Sequence, residues 1–326
     1  MYDGHVDEDG RPLWRRPALW AALALLLSGA GGGAWASGLF SAPACSGADV
    51  RITVAAQPEI APALKDVASR FNVEKHRVGG RCVHASVTPV APAAYKGQSD
   101  AWLPESSLWL GRNMPGTPVA ATPVVLATTR PVADEFQSTD IDISWKLLLK
   151  DKADHLPLAR TVADPSAGMT GTVAMLALQQ LDEKADVAKA LRKGGGSTAT
   201  LATLTTAERF TRPLAVTTEQ AVVAYNETHR PNPVVSLLPT EGTLMLDHPY
   251  AVTTKDPRRR DAAEAFQAAL GTRSARNILQ RAGFRTPDGA LNTAYATEYN
   301  VPDKPPKSLR LPTRKEIDEA LTSWKT

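Results

Sequence analysis

Apolar positions in this chain change period from block to block, and the periods alternate between those of strands and those of helices. Residues 51–55 form a short apolar strand. After it Ile60, Leu64, Val67, Ala68 and Phe71 recur at helical spacing and predict a helix over residues 59–71 with one buried face. Behind the Gly79-Gly80 turn, residues 83–87 alternate as a second strand. Residues 100–103 form an abrupt third strand, ended by Pro104 and the polar triplet Glu105-Ser106-Ser107, and residues 123–128 are a continuous apolar run of the kind buried on both faces. Strand, helix and strand repeated in this order predict an α/β fold with a largely parallel sheet covered on both sides.

A second block fills residues 131–233. Residues 144–149 read as a helical turn or two and residues 158–163 as a strand. The loop Asp164-Pro165-Ser166-Ala167-Gly168-Met169-Thr170-Gly171 leads into an apolar helix over residues 172–181. A further helix over 183–192 is stopped by Gly194-Gly195-Gly196. Residues 214–216 form a short strand, and Thr217 with Gln220 makes a capping box for a helix carrying Val222, Val223 and Tyr225. From Val234 an apolar strand, the turn Pro239-Thr240-Glu241-Gly242 and a second apolar run reached through Asp247-His248-Pro249 carry the chain back toward its first block. Asp256-Pro257 opens a helix with Ala262, Phe266, Ala269 and Leu270 on its buried face and Gly271 at its end, and a second helix stops at Gly283. Residues 301–312, rich in Pro and Lys, read as a linker, and residues 314–324 as a short amphipathic helix with Ile317, Leu321 and Trp324 on one side.

At 43% hydrophobic and 22% charged residues the chain lies in the ordinary globular range. The stretch beyond the N-terminal segment, about 280 residues, exceeds one typical core and suggests two lobes. A net charge of only +3, scattered along the sequence, gives no footprint for nucleic acid. Arg11, Arg15 and Arg16 precede residues 17–40, a run of 24 uncharged residues. As a helix it would span roughly 36 Å, enough to cross a bilayer with the N-terminus inside. Ala34-Trp35-Ala36 offers the competing reading, a cleaved signal peptide. Both readings take the body of the protein out of the cytoplasm, either anchored in the cell membrane by one span or secreted. There, Cys45 and Cys82, the two cysteines of the chain, are expected to form one disulfide, with a pair of buried free thiols as the alternative.

Five segments, ITVAAQPEIAPAL at 52–64, DAWLPESSLWL at 100–110, DPSAGMTGT at 164–172, VVSLLPTEGTLMLDHPYAV at 234–252 and AGFRTPDG at 282–289, together resemble the bacterial extracellular solute-binding family. In actinobacterial surface proteins this family often stands beside a von Willebrand A domain. The resemblance implies a two-lobed clamp of the type II periplasmic-binding fold with two interlobe crossings. Residues 1–48 would be the N-terminal stub, hydrophobic helix and linker, residues 49–128 with 234–300 one lobe, 129–233 the other, and 301–326 the linker and last helix. It implies binding of a small solute without catalysis, metal or cofactor, and delivery to a membrane transporter or surface partner. A surface interaction module that keeps the fold without a small ligand is the alternative.

In such folds ligands lie beyond the carboxyl ends of the strands, where helix N-termini present free amides. By that rule Ala56 and Gln57 after the first strand, Ser106 and Ser107 after the third, and Ser166, Thr170, Gly171 and Thr172 from the second block are candidate ligand-binding residues, with Thr218 behind them. Each serine and threonine has an ordinary reading as a helix cap, and each glycine as a turn residue. Trp102, Trp109 and Tyr250 lie inside apolar runs and read as core. No zinc, phosphate-loop or nucleophile-elbow motif is present, and Asp247-His248 beside Ser106 or Ser107 is an unpromising Ser-His-Asp set, because adjacent Asp and His rarely reach triad geometry.

Overall fold

In the computed structural model the described residues are 45, 47–111, 113–153, 156–181, 186–193, 201–205, 211–229, 231 and 233–325. The expected signal or anchor at 17–40 and the stop at 194–196 lie outside them. Among the described residues no helix is long and apolar enough to cross a membrane.

Strand β1 (Val50–Ala56) buries Val50, Ile52 and Val54 and pairs in parallel with β3 (Arg81–Pro89), Val50 opposite Val83 and Ala56 opposite Pro89. A short β2 (Arg77–Val78) turns back on β3. On its other side β1 runs parallel to β4 (Ala101–Leu103), which continues antiparallel to β12 (Pro249–Val252) and from there to β5 (Thr117–Pro118). The resulting sheet has the order β2-β3-β1-β4-β12-β5. Helix α1 (Ala61–Val73) lays Leu64, Val67, Ala68 and Phe71 on it, the stripe its spacing predicts. Phe71 meets Phe266 of α7 (Pro257–Leu270) edge to face at 5.2 Å, which closes this first core. Each such fully buried aliphatic or aromatic side chain contributes about 1.5–3 kcal/mol.

The second sheet has the order β10-β6-β9-β8-β7. Its centre is β6 (Thr122–Thr129), buried along nearly its whole length, antiparallel to β9 (Arg212–Thr218), β10 (Val234–Leu237) and β11 (Met245–Leu246). Strand β8 (Leu156–Thr161) runs parallel to β9 and antiparallel to β7 (Lys152–Ala153). Helix α2 (Arg130–Ser138), which the sequence reading did not include, follows β6 directly and buries Phe136. Helix α3 (Met169–Leu181), apolar on nearly every side, fills the second core together with Trp145 and α4 (Val187–Lys193). The short α5 (Leu201–Thr205) and α6 (Glu219–Thr228) cover the opposite face, where Ala127, Leu204, Ala215, Val222 and Val234 form a third cluster. Residues 144–149, expected as a helical turn, form a 3-10 helix at Trp145–Leu149, entered through Ser144, whose hydroxyl accepts from the Lys146 amide. Both sheets are mixed rather than largely parallel. Strands that re-enter a sheet from the other half, such as β12, arrive running the opposite way.

The chain changes sheets at 119–121 and 247–248, not at 128–131 and 232–236. Strands β6 and β10, expected to end and begin the first lobe, pair with each other inside the second sheet, Val234 opposite Thr129. A run buried on both faces identifies a strand but not the sheet that receives it. A third passage lies at Arg285, which exchanges backbone hydrogen bonds with Ala121 (2.7 and 2.9 Å). It follows α8 (Arg273–Arg281) and precedes the short α9 (Thr293–Tyr299).

The segment at 301–312 is docked along the protein instead of serving as a free linker. Thr243 donates its amide to the Lys307 carbonyl at 2.8 Å and accepts from the Leu309 amide at 2.9 Å. Arg285, 1% exposed, donates to the carbonyls of Gly289, Pro302 and Lys304. Helix α10 (Arg314–Lys325) then buries Ile317 and Ala320 in the second core beside α3. Both Cys45 and Cys82 are disulfide-bonded, as their number and the expected compartment predict.

Candidate functional site

A cavity of about 360 Å³ opens between the two sheets, beyond the carboxyl ends of their parallel strands. Gln57, Pro58 and Glu59 enter it from the loop after β1, Ala91 and Pro92 from the end of β3, and Glu105 from the loop after β4. Ala163, Ala167 and Gly168 face them from the loop between β8 and α3 and Thr170 from the first turn of α3, joined by Thr217, Thr218, Gln220 and Ala221 at the start of α6. Thr122, Leu246, His248 and Phe284 close the floor where the chain passes between the sheets.

Glu105 is the polar centre of this arrangement. Its Oε1 accepts from the indole Nε1 of Trp109 at 3.0 Å and from the Met169 amide at 2.7 Å. The second bond joins the first sheet's loop to the N-terminus of α3, where the helix dipole favours negative charge. Burial nevertheless raises the Glu105 carboxyl above its ordinary range, with the charge of Glu59 adding to the rise against these two hydrogen bonds. Glu59 stands at the rim, open to solvent on one side, and desolvation raises its carboxyl as well.

His248 is 2% exposed, and neither ring nitrogen has a hydrogen-bond partner. Its ring meets Phe284 edge to face at 5.1 Å. Burial pushes its pKa down to about 3, so the imidazole is neutral. The backbone at His248 is left-handed, φ 36°, its amide donating to the Glu105 carbonyl and its carbonyl accepting from the Val119 amide. One residue thus ties the loop after β4 to both neighbouring passages between the sheets.

Of the residues expected at the site, Gln57, Thr170 and Thr218 line the cavity. Ala56 is in the first core. Ser106 is buried, its hydroxyl accepting from the Leu108 amide as a cap, and the Ser107 amide donates to Asp247 Oδ1 at 2.7 Å. Ser166 is exposed and donates to Asp164 Oδ1. Thr172 turns inward to the Pro165 carbonyl at 3.0 Å. Gly171 serves helix packing, because a Cβ there would sit 2.1 Å from the Ala163 carbonyl oxygen. Thr218 caps α6 one residue later than the capping box placed it, accepting from the Ala221 amide. Glu59, Glu105 and His248 also line the cavity and were not among the residues expected there. Glu105 stood inside a quoted motif, yet a carboxylate before two serines looks like an ordinary polar loop. Among the described residues no cluster of His, Cys, Asp and Glu could hold a metal ion.

Residues 52–285 match the family model of the bacterial extracellular solute-binding proteins. The chain belongs to that family. Solute binding outside the cytoplasm is therefore its function, on a fold shared with solved periplasmic binding proteins. A periplasmic thiamin binding protein is 11% identical with a TM-score of 0.59, over 84% of this chain and 95% of that one. The sulfate-binding protein SubI of Mycobacterium tuberculosis H37Rv is 17% identical with a TM-score of 0.54, over 85% and 97%. A ferric binding protein from Campylobacter jejuni is 11% identical with a TM-score of 0.58, over 84% and 98%. At these identities the likeness shows the fold alone. No curated protein matches the chain.

Proposed function

We propose that the cavity at the hinge holds the solute, and that the loaded protein delivers it to a membrane transporter of the ATP-driven class. It would do so from outside the cytoplasm, anchored through residues 17–40 or released after their cleavage. The observation that carries this reading is one cavity of about 360 Å³ walled by loops of both sheets. That volume suits a small solute, since such sites run from about 300 to 1,000 Å³. The two halves, each with its own core, then act as the lobes of a clamp, and the passages at 119–121, 247–248 and 285 act as its hinge. Neighbours named for thiamin, sulfate and ferric ion share the fold and differ in solute, so the fold does not name the ligand.

Binding without chemistry fits the same residues. The Ser106 hydroxyl is spent on the Leu108 amide, Asp247 accepts from a backbone amide, and the His248 ring touches neither. These three side chains therefore do not form a hydrogen-bonded nucleophile and base. A thermal-shift screen of small solutes tests the proposal. A solute at about 100 times its Kd should add roughly 2.7 kcal/mol of stability. Ala221→Trp, which fills the cavity from the first turn of α6, should abolish the shift. A solute whose shift survives that substitution would bind elsewhere and overturn the assignment.

A further inference from the structure

Building on that assignment of the cavity as the solute site, we propose that it takes a small organic cation, a solute bearing a protonated amine or guanidinium group held by Glu59 and Glu105. Three observations carry this. First, the charged side chains lining the cavity are two carboxylates, and no Lys or Arg lines it among the described residues.

Second, at each of the three helix starts bordering the cavity, amides that would cradle an anion are donated to the protein's own oxygens. At α1 the Glu59 amide donates to Gln57 Oε1 at 3.0 Å, and those of Ile60 and Ala61 to the Gln57 carbonyl. At α3 the Met169 amide donates to Glu105, so the place where the helix favours an anion holds one of the protein's own. At α6 the Gln220 amide donates to Thr122 Oγ1 and the Ala221 amide to Thr218 Oγ1, both at 3.1 Å. An oxyanion entering this cavity would meet two negative charges and an already-filled helix terminus.

Third, His248 is a buried, unpartnered polar ring on the cavity floor. Buried polar groups without partners are rare, and one facing a cavity points to a ligand that completes it. A neutral imidazole offers one donor and one acceptor, and so suits the uncharged polar part of a solute whose cationic end lies between the carboxylates. Phe284 adds aromatic surface on the same floor.

The test titrates the full chain at neutral pH with ethanolamine, putrescine and agmatine, with sulfate, phosphate and molybdate, and with glucose, reading heat and melting temperature. At least one cation should bind and raise the melting temperature by several degrees. Glu59→Gln and Glu105→Gln, which keep shape and acceptor, should each weaken it about ten-fold, as loss of a charged hydrogen bond does. Binding of an anion but no cation, abolished by Ala221→Trp, would overturn the cationic class and leave the cavity assignment standing. Cation binding that survives Ala221→Trp would overturn the cavity assignment itself. A panel without any shift likewise counts against the cation.

Discussion

At the scale of single residues, His248 and Arg285 show what the interior spends on polar groups. Burial depresses the His248 pKa from the ordinary 6.5 to about 3, so the folded protein keeps the ring neutral where the unfolded chain takes up a proton. That contribution is intact above pH 6.5 and is lost as the pH falls toward 3, at about 1.4 kcal/mol per pH unit. Glu59, Glu105 and Glu219, all raised by burial, act in the opposite sense and gain stability as they protonate. The stability of the parent minus that of His248→Leu, followed by urea unfolding from pH 7 to pH 4, should isolate the histidine as a difference that shrinks on acidification. Arg285 forms a two-pronged bond to Glu219, at 2.7 and 2.9 Å, with both side chains essentially fully buried. Arg285→Ala strands that carboxylate and frees three carbonyls, and should cost about 3–5 kcal/mol. Adding Glu219→Gln to it should recover part of the loss, since the stranded charge is gone.

At the scale of elements, the docked tail is the clearest case. Helix α10 seats Ile317 against α3, so Ile317→Ala should cost roughly 2–4 kcal/mol in denaturant unfolding, where an unattached helix would show no change. In the first turn of α3, Gly171→Ala should push the Ala163 carbonyl away, lower stability by about 1–3 kcal/mol and weaken solute binding by displacing Ala163 and the neighbouring Thr170 at the cavity wall. These elements also mark how far the sequence could be read. The stripe from Ile60 to Phe71 located α1, and Asp256-Pro257 located the start of α7, where Asp256 accepts from the Arg259 amide. Local signals suffice where a helix lies on its own neighbours. They were silent where partners are distant: β6 was recognisable as buried, but its partners β9 and β10 come from far along the chain. Residues 301–312 looked like a linker because composition cannot show that the Arg285 guanidinium collects their carbonyls. Of the cavity's lining, the sequence pointed to Gln57, Thr170 and Thr218, and the rest went unread, since side chains of their type cap helices in any protein, and the unusual feature of His248 is a lack of partners that sequence does not display.

At the scale of the whole molecule, the disulfide closes a loop of about 38 residues, and reduction should lower stability by about 4 kcal/mol on the chain-entropy model, measurable as a lower urea midpoint with an altered slope. The order in which the sheets are woven has a different consequence, one of time. Strand β4 is only three residues long, and its outer edge is covered by β12, with Ala251 opposite Trp102 and Val252 opposite Ala101. On a ribosome β4 emerges early and β12 only after every strand of the second sheet has been made, so the nascent first half carries an unpaired edge throughout that interval. Long-range closures of this kind are slow and leave the growing chain open to mispairing. The last strand to reach the first sheet is thus the one that seals it, and a chain halted before Pro249 would be left with a template for association at β4.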